Sequence, residues 1–297
     1  MGSAPRISIV TPSYNQGSFL EECILSVLDQ GYENLEYIVI DGGSTDNSLE
    51  IIKLYSARLH HWESKKDEGQ YDAINRGFSL SSGEIMGWVN ADDKYAPWAL
   101  RVVGEIFAAF PEVEWITSLY PVVWNEKGQA IRCHELAGFS RRAFMKGGNL
   151  KAVGFYGKYF IQQESTFWRR SLWERAGGAL DTSLHYAADF ELWARFFRHA
   201  ELYGVGAILG GFRVHPGQKT AVHMRRYVEE ASRVLLRYGA RPCPVFERLL
   251  RRWLAEIPLS LVRPKRLMKR LGLIFPTRVI VHSGRGGQWY IREGYTA

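Results

Sequence analysis

Cysteine is scarce: the 297-residue chain has three, Cys23, Cys133 and Cys243, far apart and without a CxxC pair. An odd, scattered set excludes a disulfide framework and points to a reducing cytosolic compartment. No stretch approaches the roughly 18 consecutive apolar residues of a membrane span. The opening segment, "MGSAPRISIVTPSYN", has no charged run followed by an apolar one, so no leader is expected. Two common phosphate cradles are missing, since there is neither a GxxxxGK[ST] loop nor a GxGxxG after the first strand-like run. RRM-, KH- and zinc-type signatures are missing as well, and the aromatics fall in apolar patterns, which disfavours nucleic acid as a partner. No internal repeat or low-complexity segment is present.

What is present is a 46% apolar composition, enough for a substantial core. The net charge of +7 is unevenly spread. After residue 224 there are 16 Lys/Arg against 5 Asp/Glu, a net +11, whereas before it the balance is 22 against 26, a net −4. The basic character belongs to the C-terminal segment.

Along the chain, "RISIVTPSYN" is a β-branched run closing in turn residues. "SFLEECILSVLDQ" follows with Leu20, Cys23, Ile24, Val27 and Leu28 at helical spacing and Ser18 and Glu21 placed as a capping box. The alternation repeats: "LEYIVIDGGSTD" is a strand with a Gly-rich turn, "NSLEIIKLY" a helix, "DEGQYDAINRGFSLSSG" a helix and "EIMGWVN" a strand. Further helices are expected at "PWALRVVGEIFAAF", "STFWRRSLWERAG", "AADFELWARFFRHA" and "RYVEEASRVLLRYGA". A hairpin is expected across "EWITSLYPVVWNEKGQAIRC", and a single strand in "LYGVGAILGGFRVH". Strands apolar on both faces alternating with amphipathic helices imply an α/β fold with a mainly parallel sheet. Ligands of such sheets sit beyond the carboxyl ends of the strands, where "TPSYN", "DGGSTD" and "NADD" would gather.

"NADD" ends in adjacent carboxylates, Asp92 and Asp93. Buried close together they repel unless a cation intervenes, and oxygen ligands suit Mg²⁺ or Mn²⁺ completed by substrate phosphates. The alternative reading is a pair of Asx residues capping the next helix. Both are open on these two residues.

The ordered set is more specific. "ISIVTPSYNQGSFLEECILSVLDQ", "YIVIDGGSTDNS", "DEGQYDAINRGF", "WVNADD" and "AADFELWAR", spread over residues 6–220, resemble the successive motifs of glycosyltransferase family 2, the inverting GT-A enzymes. The resemblance implies a nucleotide-diphospho-sugar donor, a metal (Mn²⁺ or Mg²⁺) and single displacement at the anomeric carbon. It implies base contacts at Pro12, Ser13, Tyr14 and Asp41, residue types that fit a uracil- or thymine-like base. Further donor contacts are implied at Asp67, Gly69 and Asp72, a ribose or metal contact at Asp92, and metal ligation by Asp93. Asn90 stands where some members carry an acid.

An acceptor hydroxyl needs a positioned base, and the resemblance places it at Asp189, preceded by Ala188 where the family is often acidic. Glu191 is a rival, turned about 200° around a helix. His215 in "FRVHPGQKT" is a candidate third metal ligand, with Lys219 able to approach phosphate charge. Glu164 and Trp168 in "QQESTFWRRS" are candidate acceptor contacts, each equally readable as interior packing. No QxxRW-type signature of processive members follows Asp189, so addition of one sugar per encounter is expected. A binder that has lost catalysis is the alternative, which the retained Asp41, Asp93 and Asp189 oppose.

In the C-terminal segment, Phe246, Leu249, Leu250, Trp253, Leu254 and Ile257 form a helical stripe, with Arg248, Arg251 and Arg252 outside it. Residues 1–224 are expected to form the catalytic domain, and 225–297 a basic, mainly helical extension that the chemistry does not need. The extension either lies on an anionic membrane at the inner face of the cell, where a lipid-linked glycan acceptor would reside, or docks on the domain.

Overall fold

The computed structural model describes residues 4–152, 155–157, 159–254, 265–284 and 287–296. The first half runs β1 (Ile7–Ser13), α1 (Gly17–Leu28), β2 (Leu35–Asp41), α2 (Ser48–Tyr55), β3 (His61–Ser64), α3 (Gln70–Ser79), β4 (Ile85–Trp88), β5 (Lys94–Tyr95), α4 (Ala99–Ala109), β6 (Trp115–Ser118), β7 (Val122–Trp124) and β8 (Ala130–Cys133). Then come α5 (Arg141–Met145), β9 (Thr166–Arg169), α6 (Arg170–Arg175), α7 (Ala188–His199), β10 (Tyr203–Val205), β11 (Gly210–Arg213), α8 (Lys219–Arg237), α9 (Val245–Leu254), α10 (Lys265–Arg270), β12 (Phe275–His282) and β13 (Trp289–Thr296).

The main sheet has the order β13-β12-β10-β6-β9-β4-β1-β2-β3. Its pairings are parallel, except where β9 runs antiparallel between β4 and β6 and β13 antiparallel on β12. A second sheet has the order β5-β11-β7-β8, and its β5 follows β4 of the main sheet by five residues. Alternation along the strands sends Ile7, Ile9, Tyr37 and Val39 to one core with α1 and α4, and Val10, Ile38 and Ile40 to the other with α3 and α7. Both faces are buried, as the apolar runs imply. α3 lies so close on β1 that a Cβ on Gly77 would meet Val10 Cγ1 at 2.5 Å, a spacing only glycine permits.

Three local expectations are corrected. Ser18 and Glu21 do not form a capping box: the first N–H of α1, on Gly17, donates to Asp46 Oδ2 at 2.9 Å, and Glu21 accepts from the Tyr55 hydroxyl at 2.7 Å. "STFWRRSLWERAG" is strand β9 before helix α6, because Phe167 and Trp168 fill the gap between β4 and β6. "LYGVGAILGGFRVH" divides into β10 in the main sheet and β11 in the second.

The expected boundary after residue 224 falls inside α8, and β12 and β13 return to complete the edge of the main sheet. Phe275, Val279 and Ile280 are buried there. The last segment is therefore part of the same folded unit, joined by strand pairing that local sequence does not announce. α9 also docks in an unexpected sense. Arg251, 1% exposed, faces inward, donating to Glu247 and to the carbonyls of Gly272 and Leu273, with its guanidinium about 5 Å from the rings of Tyr156 and Phe275. Phe246, Leu249 and Trp253 are left 77%, 62% and 61% exposed. Ile257, the last residue of the expected stripe, lies outside the described residues. Among the described residues no helix is long and apolar enough to cross a membrane.

Candidate active site

The turns after β1 and β2 are stitched together at the carboxyl ends of their strands. Asn15, with φ 52°, donates its N–H to Ser44 Oγ at 2.8 Å and accepts from the Thr45 N–H at 2.8 Å. The "DGGSTD" segment thus holds "TPSYN" in place. Pro12, Ser13 and Tyr14 line a cavity of about 1010 Å³, with Tyr14 61% exposed at its rim. Asp41 is buried beneath the turn and does not line the cavity. Its carboxylate accepts from the Gly43 and Ser44 N–H groups and from the Ser44 and Ser64 hydroxyls.

Asp67 lines the cavity, accepts from the Gly69 N–H at 2.9 Å, and has its pKa raised by burial. Gly69, at φ 121°, makes the turn into α3, a conformation costly for other residues. Asp72 sits in the first turn of α3, accepts from the Glu68 N–H at 3.4 Å, and stands outside the cavity wall.

"NADD" follows β4, and Asn90, Asp92 and Asp93 all line the cavity. Asn90 Nδ2 donates to Asp93 Oδ2 at 3.0 Å and Asn90 Oδ1 accepts from Gln70 Nε2 at 2.7 Å. Gln163 Nε2 donates to the Trp88 carbonyl at 2.6 Å, completing a polar floor. Burial pushes Asp93 well above the usual carboxylate range, with the charges of Asp92 and Glu164 adding to it.

Arg213, fully buried at the end of β11, fastens this turn. Its N–H donates to Asp93 Oδ1 at 2.7 Å, its Nε to the Asp92 carbonyl at 2.6 Å and its Nη2 to Glu22 Oε2 at 2.6 Å. A buried guanidinium is tolerable only when so completely paired. Two residues on, His215 Nε2 lies 3.0 Å from Asp92 Oδ2, and its ring is 4.6 Å from that of Phe19.

The chemistry of this donor set can be tested against a divalent ion. Asp92 and His215 face each other, one oxygen and one nitrogen, while both Asp93 oxygens already accept internal hydrogen bonds. Among the described residues, no group of three or more His, Cys, Asp or Glu could hold an ion alone. The set fits an ion that takes its remaining ligands from a bound diphosphate and water, and uncompensated buried Asp93 fits a missing positive charge.

Asp189 opens α7 on another wall of the same cavity. Its Oδ1 is buried without a hydrogen-bond partner among the described residues, and burial raises its pKa to about 7. α8 holds the start of α7: Glu230 accepts from the N–H groups of His185, Tyr186 and Ala187 at 3.1, 2.8 and 3.0 Å. Lys219, also in the wall, sits 5.3 and 5.4 Å from the rings of Tyr71 and Tyr186 and donates to Gln70 Oε1 at 3.4 Å.

Glu164 lines the cavity floor, with Oε1 unpartnered among the described residues and a pKa raised to about 8, chiefly by burial. Trp168 does not reach the cavity. It is fully buried, 5.5 Å from the Trp88 ring and 5.8 Å from the Trp193 ring. Glu191 is also outside, bound by Arg195 at 2.9 Å and by the Tyr238 hydroxyl at 2.7 Å. The structure thus gathers Pro12, Ser13, Tyr14, Asp67, Asp92, Asp93, Glu164 and Asp189 on one cavity, sets His215 beside it against Asp92, and leaves Asp41, Gly69, Asp72, Trp168 and Glu191 behind or beside it. Sequence reasoning missed Arg213 and Glu230. Arg213 stood two residues before a candidate ligand, and Glu230 carried no local signal.

Comparison with known proteins bears on the family and the fold. Residues 8–118 match the family described as glycosyl transferase family 2. An uncharacterized glycosyltransferase of Rickettsia prowazekii is 26% identical over 226 residues, 76% of this chain and 69% of its own length. One from Mycobacterium tuberculosis is 29% identical over 192 residues, 64% of this chain and 68% of its own. Among solved structures, S. aureus TarS residues 1–349 superposes with TM-score 0.60 at 13% identity, covering 90% of this chain and 79% of that one. The Pyrobaculum calidifontis mannosyltransferase PcManGT superposes with TM-score 0.58 at 19% identity, covering 91% and 74%. The protein is a glycosyltransferase of the GT-A fold, with residues 8–118 forming its glycosyl transferase family 2 region.

Proposed function

We propose that the protein moves one sugar per encounter from a nucleotide-diphospho-sugar, a UDP- or dTDP-sugar in preference, to a glycan or lipid-linked glycan acceptor, with inversion at the anomeric carbon and dependence on Mn²⁺ or Mg²⁺. The observation that carries the reading is one cavity with Asp92 and Asp93 on one wall, His215 beside it 3.0 Å from Asp92 Oδ2, and on another wall Asp189, whose Oδ1 is buried without a hydrogen-bond partner among the described residues. A divalent ion would be held by Asp93 and His215 with Asp92 beside them, the Asp93 oxygens each keeping a lone pair free of their internal hydrogen bonds, and would supply positive charge that binds the diphosphate and offsets charge on it as it leaves.

In this reading Tyr14 offers its ring to the base at the rim, Asp67 meets the donor, and Asp189 takes the acceptor proton. A carboxylate with a pKa near 7 is a stronger base than an ordinary one and is still partly ionised at neutral pH. As it accepts the proton, the bond from the acceptor oxygen to the anomeric carbon forms and the bond to the diphosphate oxygen breaks. TarS has been solved with UDP-GlcNAc, and PcManGT with GDP-Man and Mn²⁺, so the fold takes such donors in those proteins.

The proposed setting is the cytoplasm, at the inner face of the cell membrane. Its support is the outward apolar face of α9, where Phe246, Leu249 and Trp253 are exposed in a segment of net charge +11, and a basic residue near an anionic surface contributes about 1 kcal/mol. The test is a thermal-shift screen of UDP-, dTDP- and GDP-sugars with and without Mn²⁺, with release of the nucleoside diphosphate followed in parallel. One donor class should stabilise the protein only with metal and be slowly hydrolysed. Stabilisation by none of them contradicts the proposal, and binding without hydrolysis or transfer would indicate a non-catalytic binder.

A further inference from the structure

The cavity extends well past the residues used above, along the second sheet. Pairing puts Phe212 beside Val123 and Val123 beside Arg132, and all three line the cavity. They form one row across β11, β7 and β8. With strands spaced about 4.8 Å apart, β8 lies about 14 Å from β5, the strand that continues from Asp93. That is two to three sugar-ring lengths from the metal-side carboxylates.

The far end differs in charge from the near end. The side of Asp93 and Asp189 carries Asp67, Asp92, Asp93, Glu164 and Asp189 with the single lysine Lys219, whereas β8 and its end bring Arg132 and His134, with the ring of Tyr159 against His134, and Lys151 lines the same cavity. Arg132 and Lys151 line the cavity, are exposed and take part in no ion pair among the described residues. His134 stands two residues beyond Arg132, its ring 4.4 Å from that of Tyr159. Its Nε2 is buried and has no hydrogen-bond partner among the described residues, a costly state that an incoming oxygen would relieve. Burial and the neighbouring Arg132 charge keep His134 below its usual pKa, so the fixed positive charges here are Arg132 and Lys151.

Two unpaired cations, an unsatisfied imidazole and a partly exposed aromatic ring at one end of a sugar-sized channel describe a recognition surface for an oxyanion attached to a saccharide. We propose that Arg132, His134 and Lys151 form an acceptor subsite for an anionic group, the phosphate or carboxylate of an acidic or phosphate-linked saccharide. This rests on the glycosyl-transfer reading and adds the class of acceptor to it.

The test uses the full chain with UDP and Mn²⁺ saturating, so that the diphosphate region is filled before any acceptor is added. Isothermal titration then compares an alkyl-diphosphate-linked monosaccharide, an oligouronate and a neutral alkyl glycoside. At least one anionic compound should bind about tenfold more tightly than the neutral one. That advantage should disappear in the Arg132→Ala/Lys151→Ala double variant, with the Kd for UDP and the rate of donor hydrolysis unchanged. The lipid-linked and uronate arms separate the two sources of the charge. Equal binding of charged and neutral compounds, no binding of either anionic one, or an advantage that survives in the double variant overturns the proposal. If UDP itself does not bind in the presence of Mn²⁺, it is the glycosyl-transfer reading that fails.

Discussion

The two halves of the cavity are built by different means. On the proposed donor side, residues 12–14, 67 and 90–93 sit at the ends of parallel strands or on the turns that follow them, each within a few residues of the strand that aims it. On the proposed acceptor side, Glu164, Asp189 and Arg132 come from a short 3-10 turn, a helix start and an edge strand. They are held by partners far away in sequence: Gln163 on the Trp88 carbonyl, Glu230 on the start of α7, Val123 beside Arg132. A donor shared by many enzymes can be read by a local motif, whereas an acceptor surface is assembled by tertiary packing.

The contrast is broken most severely from the C-terminus. Truncation after Gly239 removes β12 and β13 from the sheet edge, takes Val279 and Ile280 out of the two cores and uncovers Val205 on β10. The expected outcome is loss of cooperative thermal unfolding. A truncated protein that still melts in one sharp transition would restore the C-terminal segment to the status of an appendage.

The next effect is on the donor side. Arg213→Met removes the guanidinium that ties Asp92, Glu22 and, through the strand end, Asp93. Loss of such a buried cation should lower the unfolding free energy by about 3 kcal/mol, measured by urea denaturation, and weaken Mn²⁺-dependent nucleotide binding. Stability within about 0.5 kcal/mol of the parent would show that Arg213 is an onlooker.

Much of the fold was legible in the residues. β1, β2 and β4 and the helices between them follow from apolar runs closed by Gly, Asn and Asp turns, and the rim they share follows from parallel-sheet geometry. The acceptor side was not, for physical reasons. Trp168 suits a sugar-stacking role by residue type, but an indole is also the largest core filler, and the gap between β4 and β6 claimed it. Glu191 looked like a rival base until Arg195 and Tyr238 took its oxygens. The capping box at Ser18 had the right spacing, yet the loop after β2 reached the α1 N–H first. The α9 stripe was legible as amphipathic, but which face docks was decided by Arg251 finding the carbonyls of Gly272 and Leu273.

A smaller change sharpens the contrast on the acceptor side. Glu230→Gln keeps one acceptor oxygen for the start of α7 but removes the charge, and should lower kcat about three- to tenfold with donor KM unchanged. Its charge also raises the Asp189 pKa, so its removal should move the acid limb of the rate profile to lower pH, which a purely structural role would not do. In the parent, activity should fall as pH drops below about 7, where Asp189 takes up its proton. Because that pKa is raised above the 3.8 of an ordinary aspartate, the stability present below pH 3.8 declines as pH rises toward 7. Asp189→Asn should therefore raise the melting temperature more at pH 8 than at pH 4.

The central claim is that metal-dependent donor binding and proton removal belong to separate walls of one cavity. It is tested most directly by measuring nucleotide affinity with and without Mn²⁺, together with kcat, in Asp93→Asn and Asp189→Asn. Asp93→Asn should lose the metal-dependent part of the affinity, whereas Asp189→Asn should keep it and lose about 10²-fold or more in kcat. Equal loss of nucleotide affinity in both variants, or near-normal turnover in Asp189→Asn with the activity lost instead in Glu164→Gln, would contradict the account.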